Sequence, residues 1–541
     1  MKKYMEILNS LSLEEKIGQM FMVGFYGESI PEDVKAFVDK ANIGFIDIFA
    51  RNIKSVKQAT DLMNDLHSLC KIPTMIFSDQ EGGIVTQFAE LTSTFANHMG
   101  LAATGNTGFT KIAAEIMAQD MDLIGIDGFI APTIDVNYEP DNPIIGLRAF
   151  SDDVDTVTEH GRAFVEGIEQ TGLAAMPKHF PGHGGSKLDS HLVLPLIESS
   201  EEYFTAMNLL PFERIVSMAD FVMTAHIAVS SIDSMSLPAT FSRIFLKDLL
   251  RDKIKYNGVI ITDCLEMDVI KNNYSPEEMI DYTINADVDV LLMSHTLELQ
   301  MELYNILLEK VKRGEISEER INQSVERILI AKENHNMLIT HKTRSVAKAE
   351  RLVRSKRDIE DLICKHSIVL LRNKLNKVPM IDRSVKLGII EWDKTRSTIQ
   401  LYEPTNESYL ENYAREYFDD VDVLILQLKK PDFSVIKEFL DKHDEILVGP
   451  FSRTTEVEKI QADVIREIIK MRVDVIVVAT GNPYDIRSFP SVKTFIATFG
   501  FKECQIKAFF EVLVGAFKAS GRLPVEMKDL FPRFYKWQSN K

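Results

Sequence analysis

Cysteine is scarce in this chain of 541 residues, and the four present, Cys70, Cys264, Cys364 and Cys504, lie far apart without a CxxC spacing. That pattern excludes a cysteine-built zinc or redox site and points to free thiols in a reducing compartment. A basic surplus is missing too. The formal charge of -18 would repel nucleic acid and anionic membrane at long range, so neither is expected as a partner, whereas neutral sugars are indifferent to it. No stretch approaches the roughly 18 consecutive apolar residues of a membrane span. The opening Met1-Lys2-Lys3-Tyr4-Met5-Glu6 is followed by no apolar export core, which makes a cytoplasmic location the expectation. Internal repeats and low-complexity segments are also lacking. What remains, 45% hydrophobic and 26% charged residues, is the composition of a globular protein long enough for two domains.

Short runs rich in Val, Ile and Phe occur at 20–25, 43–49, 74–77, 128–136, 173–176, 221–224, 258–262 and 288–293. Amphipathic stretches separate them, and Ser12 with Glu15 and Ser275 with Glu278 fit the capping-box pattern of helix starts. Eight apolar strands alternating with helices predict a (β/α)8 TIM barrel. The barrel is expected over residues 1–335 and a polar, basic connector over 336–360. A C-terminal α/β sandwich domain with a largely parallel sheet is expected over 361–541, from further apolar runs between 367 and 498.

The strand ends are unusually polar. Asp79, Asp135, Lys178 with His179, His226, Asp263, and Ser294 with His295 each follow their strand closely. In a barrel all of these positions face the C-terminal rim, so six of eight strands would feed one pocket. A polar residue ending one strand signifies little, because the chain is leaving the core there. Six are harder to explain that way.

Lys178-His179-Phe180-Pro181-Gly182-His183-Gly184-Gly185-Ser186-Lys187-Leu188-Asp189-Ser190-His191 packs two lysines, three histidines and a carboxylate into one loop. Asp189 and His191 are two apart, so in extended backbone both point the same way. The carboxylate then fixes the imidazole tautomer, and His191 becomes a candidate general acid and base. Glycines at 182, 184 and 185 would let the loop move. Asp263 ends the run Ile260-Ile261-Thr262, where a half-dry carboxylate can attack an anomeric carbon; a helix N-cap is the competing use of such an Asp. Two acid groups at two strand ends are what sugar-cleaving chemistry requires. Reading His179, His183, His191 and Asp189 as metal ligands is less economical, since neither HxH nor HExxH occurs and Lys178 would sit beside the ion, so no metal is expected. In Asp79-Gln80-Glu81-Gly82-Gly83 a carboxylate followed by glycines suits capture of sugar hydroxyls. Arg148 and Lys178 add donors for the same sugar.

These residues carry a resemblance. KHFPGHG with DSH, DQEGG, the stretch Asp141 to Arg148, GVIITD, and the opening Ser12 to Met20 resemble the bacterial β-N-acetylglucosaminidases of glycoside hydrolase family 3. Thr480 to Asp485 and Gly521 to Val525 resemble the second domain of the two-domain members. The resemblance implies a retaining mechanism without metal or organic cofactor. Asp263 would be nucleophile, Asp189 and His191 an acid/base dyad, and Asp79, Arg148, Lys178 and His179 the glycone holders, with His226 a further substrate-binding residue at the same rim. The implied substrate is a terminal β-linked N-acetylglucosamine of a small glycoside or muropeptide, with water or phosphate as acceptor. Three departures stand out: Gln87 where the family usually has arginine, Phe95-Ala96-Asn97-His98 in place of a Phe-Pro-Gly turn, and Gly185-Ser186-Lys187 beside the dyad. They leave room for another amino sugar, including one trimmed from a secondary metabolite, for a β-glucosidase-type hydrolase, or for a sugar-binding protein without turnover.

Overall fold

The structure, a computed structural model, describes residues 3–89, 91–187, 194–338, 343–393, 408–450, 452 and 457–538. The apolar runs form the eight staves of a barrel: β1 (Phe21–Val23), β2 (Phe45–Asp47), β3 (Met75–Ser78), β4 (Gly128–Phe129), β5 (Ala174–Ala175), β6 (Phe221–Met223), β7 (Val259–Ile261) and β8 (Leu291–Met293). Six of them make one continuous parallel sheet in the order β8-β1-β2-β3-β4-β5, and β6 pairs with β7 in parallel. Single parallel bridges close the ring, Phe180 with Thr224 between β5 and β6 and Ile261 with Val290 between β7 and β8. The Phe180 N–H donates to the Met223 carbonyl at 2.8 Å, and Thr262 N–H to the Val290 carbonyl at 3.0 Å.

Two staves are shorter than their apolar runs, for a local reason. Pro132 has no N–H to give to a ladder, so β4 stops short of it and pairing resumes at Thr133 with Lys178. Pro177 interrupts β5 in the same way before Phe180 pairs with β6. Both expected capping boxes form, Ser12 with Glu15 and Ser275 with Glu278.

The connector region holds a helix at Val346–Leu352 and enters the helix Arg357–Ser367, whose buried Glu360 accepts from Thr94 N–H at 2.9 Å. Beyond it lie β9 (Val369–Asn373), β10 (Lys386–Trp392), β11 (Asp420–Leu426), β12 (Glu445–Gly449), β13 (Ile476–Ala479) and β14 (Thr494–Ala497), ordered β9-β14-β13-β12-β10-β11. All neighbours are parallel except β9 with β14. The five parallel strands follow the 2-1-3-4-5 order of doubly wound sheets. Successive residues such as Ile389 and Ile390, Leu447 and Val448, or Phe495 and Ile496 enter different cores, because alternate side chains leave opposite faces and both faces are covered. One of these cores takes in Met99, Ala103 and Leu147 from the barrel's loops, so the two parts are packed together. Among the described residues no helix is long and apolar enough to cross a membrane.

Candidate active site

The C-terminal rim gathers the polar strand ends around one buried network. Glu81, in the short hairpin after β3, is 2% exposed and takes a fork from Arg148, with Nε 2.9 Å from Oε2 and an Nη 2.7 Å from Oε1. Lys178 Nζ lies 2.7 Å from Glu81 Oε1 and 2.5 Å from Asp79 Oδ1. Burial by itself would raise the Glu81 carboxyl, but the Arg148 and Lys178 charges outweigh it and hold that group well below the usual carboxylate range. For Lys178 burial opposes the charge, and Asp79 with Glu81 hold it above the ordinary ammonium value.

A second knot fixes the histidine loop. Asp135, 1% exposed, accepts from His179 Nδ1 at 2.8 Å and from His183 N–H at 2.5 Å, which leaves His179 Nε2 as acceptor for the Arg148 guanidinium at 3.3 Å. His183 is buried beside it with neither ring nitrogen hydrogen-bonded within the described residues; burial pushes its imidazolium down to about 4, so the ring is neutral at physiological pH. Asp189 and His191, the expected acid/base dyad, lie outside the described residues.

Asp263 stands half-buried at the end of β7. Its N–H donates to Thr224 Oγ1 at 3.2 Å, and its Oδ1 accepts from Cys264 N–H at 2.7 Å, which orients the carboxylate. His226, expected among the sugar-holding groups, sits behind this turn with no exposed surface. Its Nδ1 meets Thr240 Oγ1 at 2.9 Å and its Nε2 donates to the Cys264 carbonyl at 3.0 Å, so it braces the Asp263–Cys264 turn.

Two carboxylates at the rim escaped the sequence reading of the site. Glu81 is one, although it lies two residues after Asp79 in the same motif. Asp47, the last residue of β2, is the other; it is 1% exposed and accepts from Ser294 Oγ at 3.0 Å. Burial first, and then the charge of Asp79, push its carboxyl up to about 8. The departures flagged in the sequence have local uses. Gln87 Oε1 accepts from Ala50 N–H at 3.0 Å, Asn97 joins Ile84 N–H to the Phe499 carbonyl, and His98 donates to the Arg148 carbonyl at 2.7 Å while stacked on Phe150.

Cys264, Glu266 and His295 bring three potential ligand atoms within 4.8 Å of one another. The donor chemistry fits a cation poorly. Both Glu266 oxygens already accept backbone N–H bonds from His295 and Thr296, and burial pushes the Cys264 thiol up to about 12.

A closed barrel with a carboxylate on one stave and a lysine, arginine and histidine network across the rim places the chain among the α/β barrel proteins with a polar C-terminal rim, an arrangement that glycoside chemistry can use. The family model described as the glycosyl hydrolase family 3 N-terminal domain matches residues 12–331, and the chain belongs to that family. It is 31% identical over 362 residues to beta-hexosaminidase A of Pseudoalteromonas piscicida, covering 59% of this chain and 60% of that protein. To a beta-hexosaminidase of Haemophilus influenzae it is 32% identical over 283 residues, covering 51% and 80%. The solved structure of a glycoside hydrolase family 3 beta-N-acetylglucosaminidase from Paenibacillus sp. str. FPU-7 superposes with a TM-score of 0.85 at 30% identity, covering 96% of this chain and 99% of the other. The chain thus spans nearly all of that neighbour but only 60% of the length of the Pseudoalteromonas relative.

Proposed function

We propose that the protein is a retaining exo-β-N-acetylhexosaminidase that removes a terminal β-linked N-acetylglucosamine, or a related amino sugar, from a small glycoside such as a muropeptide. The observation that carries the reading is the placement of Asp263 on β7, across the mouth from the Asp79, Lys178, Glu81, Arg148 and His179 network at the β3 to β5 side. Asp79, Lys178, Arg148 and His179 hold the glycone hydroxyls, and Glu81 holds the two cations in place. The oxygen of Asp263 not engaged by Cys264 N–H attacks the anomeric carbon, and the glycosidic C–O bond breaks as the ester forms. His191, oriented by Asp189, gives its proton to the departing oxygen and then takes one from the acceptor. Water yields the free sugar; phosphate yields the sugar 1-phosphate, and a neutral histidine repels an incoming phosphate less than a carboxylate would.

The test uses 4-nitrophenyl N-acetyl-β-D-glucosaminide with the wild type and Asp263→Ala. Turnover should be lost in the variant and return with azide, which takes the place of the carboxylate and yields the α-glycosyl azide. Undiminished turnover of Asp263→Ala would refute the assignment. Sugar 1-phosphate in phosphate buffer would identify the acceptor.

A further inference from the structure

Asp47 is a buried carboxylate with an unfilled position. Its Oδ2 is occupied by Ser294 Oγ, whereas its Oδ1 has no hydrogen-bond partner among the described residues. The bond to Ser294 fixes where the side chain points. Ser294 follows β8 and Asp47 ends β2, and these two staves flank β1, so the contact runs across the inner face of β1 and the carboxylate faces the barrel mouth. Ionising a buried carboxyl that keeps one oxygen unpaired is unfavourable, so Asp47 holds its proton until a cationic partner completes the position.

The groups facing Asp47 show what is missing there. Asp79, at the end of β3, opposes it with like charge, while Arg51 and Lys178 offer partial relief. Lys178 is already engaged by Asp79 and Glu81. Arg51 donates to the carbonyls of Phe25 and Ser294 and lies between the rings of Phe49 and Tyr26. Gln87, which ties the hairpin loop to Ala50, brings no charge. Two acids therefore face one corner, and both can ionise there only beside a cation. A hydroxyl would leave Asp47 protonated, whereas an ammonium group supplies both the donor and the charge that let it ionise.

Strand order says which part of a sugar reaches that corner, provided Asp263 is the nucleophile as proposed above. In the closed ring β3 is four staves from β7 in either direction and β2 is three. With the anomeric carbon at β7, the sugar positions toward β2 and β3 are C3, C4 and the exocyclic C6, and the C2 substituent stays near the nucleophile. We propose that Asp47 and Asp79 form a specificity site for an ammonium group on that far side, so that the preferred terminal sugar is an amino sugar carrying a free amine at C3, C4 or C6.

The experiment compares 4-nitrophenyl N-acetyl-β-D-glucosaminide with its 3-amino, 4-amino and 6-amino deoxy analogues, on the wild type and on Asp47→Asn. One amino analogue should exceed the hydroxyl parent in kcat/KM by at least about ten-fold, and the ratio should fall by a similar factor in Asp47→Asn. No preference in the wild type overturns the proposal without reference to any variant. So does a preference that survives the substitution. Should none of the glycosides be turned over, the hydrolase reading is what fails, and calorimetry with 3-amino-3-deoxy-, 4-amino-4-deoxy- and 6-amino-6-deoxyglucose decides the charge reading separately. Binding of one of them that weakens about ten-fold in Asp47→Asn supports it, and equal binding by both proteins refutes it.

Discussion

Glu81→Gln is a sharp test of the buried network, because it removes one charge and keeps the shape. In the wild type this carboxylate takes two bonds from Arg148 and one contact from Lys178, all three groups being under a tenth exposed. Removing one member of a buried ionic cluster leaves its partners charged and unpaired, which costs about 3–5 kcal/mol. The lower end applies here, since Lys178 keeps Asp79 and Arg148 keeps His179 and the Ile144 carbonyl. Urea unfolding at about pH 7 should therefore show a loss of about 3 kcal/mol at unchanged slope. The sign with pH follows from linkage. Glu81 is held below its ordinary value of 4.5, so its stabilisation is fully present above that value and fades as pH falls through the lower folded one. The gap between wild type and variant should accordingly narrow in acid. Adding Arg148→Met should restore part of the loss, with a coupling of about 2 kcal/mol in the double-mutant cycle. A loss under about 1 kcal/mol at neutral pH, or a gap that widens in acid, would refute the argument.

Asp47→Asn should stabilise the protein at neutral and alkaline pH. The folded carboxyl, pushed up to about 8, holds its proton where the unfolded one, at 3.8, has lost it, so wild-type stability declines as pH rises between these values. At about 1.4 kcal/mol per pH unit the limit is roughly 6 kcal/mol, and sharing of the penalty with Asp79 leaves about 2. Melting temperatures from about pH 4 to 9 should show a gain that grows with pH; a gain already complete in acid would contradict the assignment. Gly184→Ala should damage the histidine loop, since the added Cβ would lie 1.8 Å from the Val136 carbonyl oxygen, a backbone atom with little room to retreat. We expect a loss of about 100-fold in kcat/KM, and wild-type activity would show that the loop is not held where the structure places it.

Much of this architecture was legible in the sequence because each stave is a short apolar run bounded by polar residues, and the runs at 43–49, 221–224 and 258–262 all contain the strands that form. Pairing was less legible. That Pro132 and Pro177 would break two ladders follows from their missing N–H, yet where the chain resumes depends on the neighbouring stave. Asp79, Lys178, His179 and Arg148 could be named from their motifs, but the Lys178–Asp79 and Arg148–His179 pairs are joined through Glu81, across 67 residues of sequence to Arg148. Nothing local announces that distance. Asp47 failed for the opposite reason: a single acid inside the run 43–49 reads as an interruption of the pattern until the Ser294 contact shows which way it faces. His226 follows β6 as the sequence suggests, and only its bonds to Thr240 and the Cys264 carbonyl show that it faces the backbone of the Asp263–Cys264 turn.

The second domain acquires a purpose from the same contacts. A charge network with three buried members tolerates little displacement, so the segments that carry Glu81 and Arg148 need rigid support. Both rest on the C-terminal part of the chain. Beside Glu81, Ile84 and Val85 enter a core formed with β10, β12 and the helix Glu503–Leu513, and Asn97 binds the Phe499 carbonyl. Around Arg148, Leu147 enters the other C-terminal core, Ser151 donates to the Pro524 carbonyl, Arg533 pairs with Asp152 and Asp153, and Arg487 reaches Asp141. The barrel supplies the staves and the charges, but the two arms that carry Glu81 and Arg148 are anchored outside it. Shifts of the second domain would therefore be felt first at Glu81 and Arg148, and Asp263, on a stave at the opposite side of the mouth, would be the last to move.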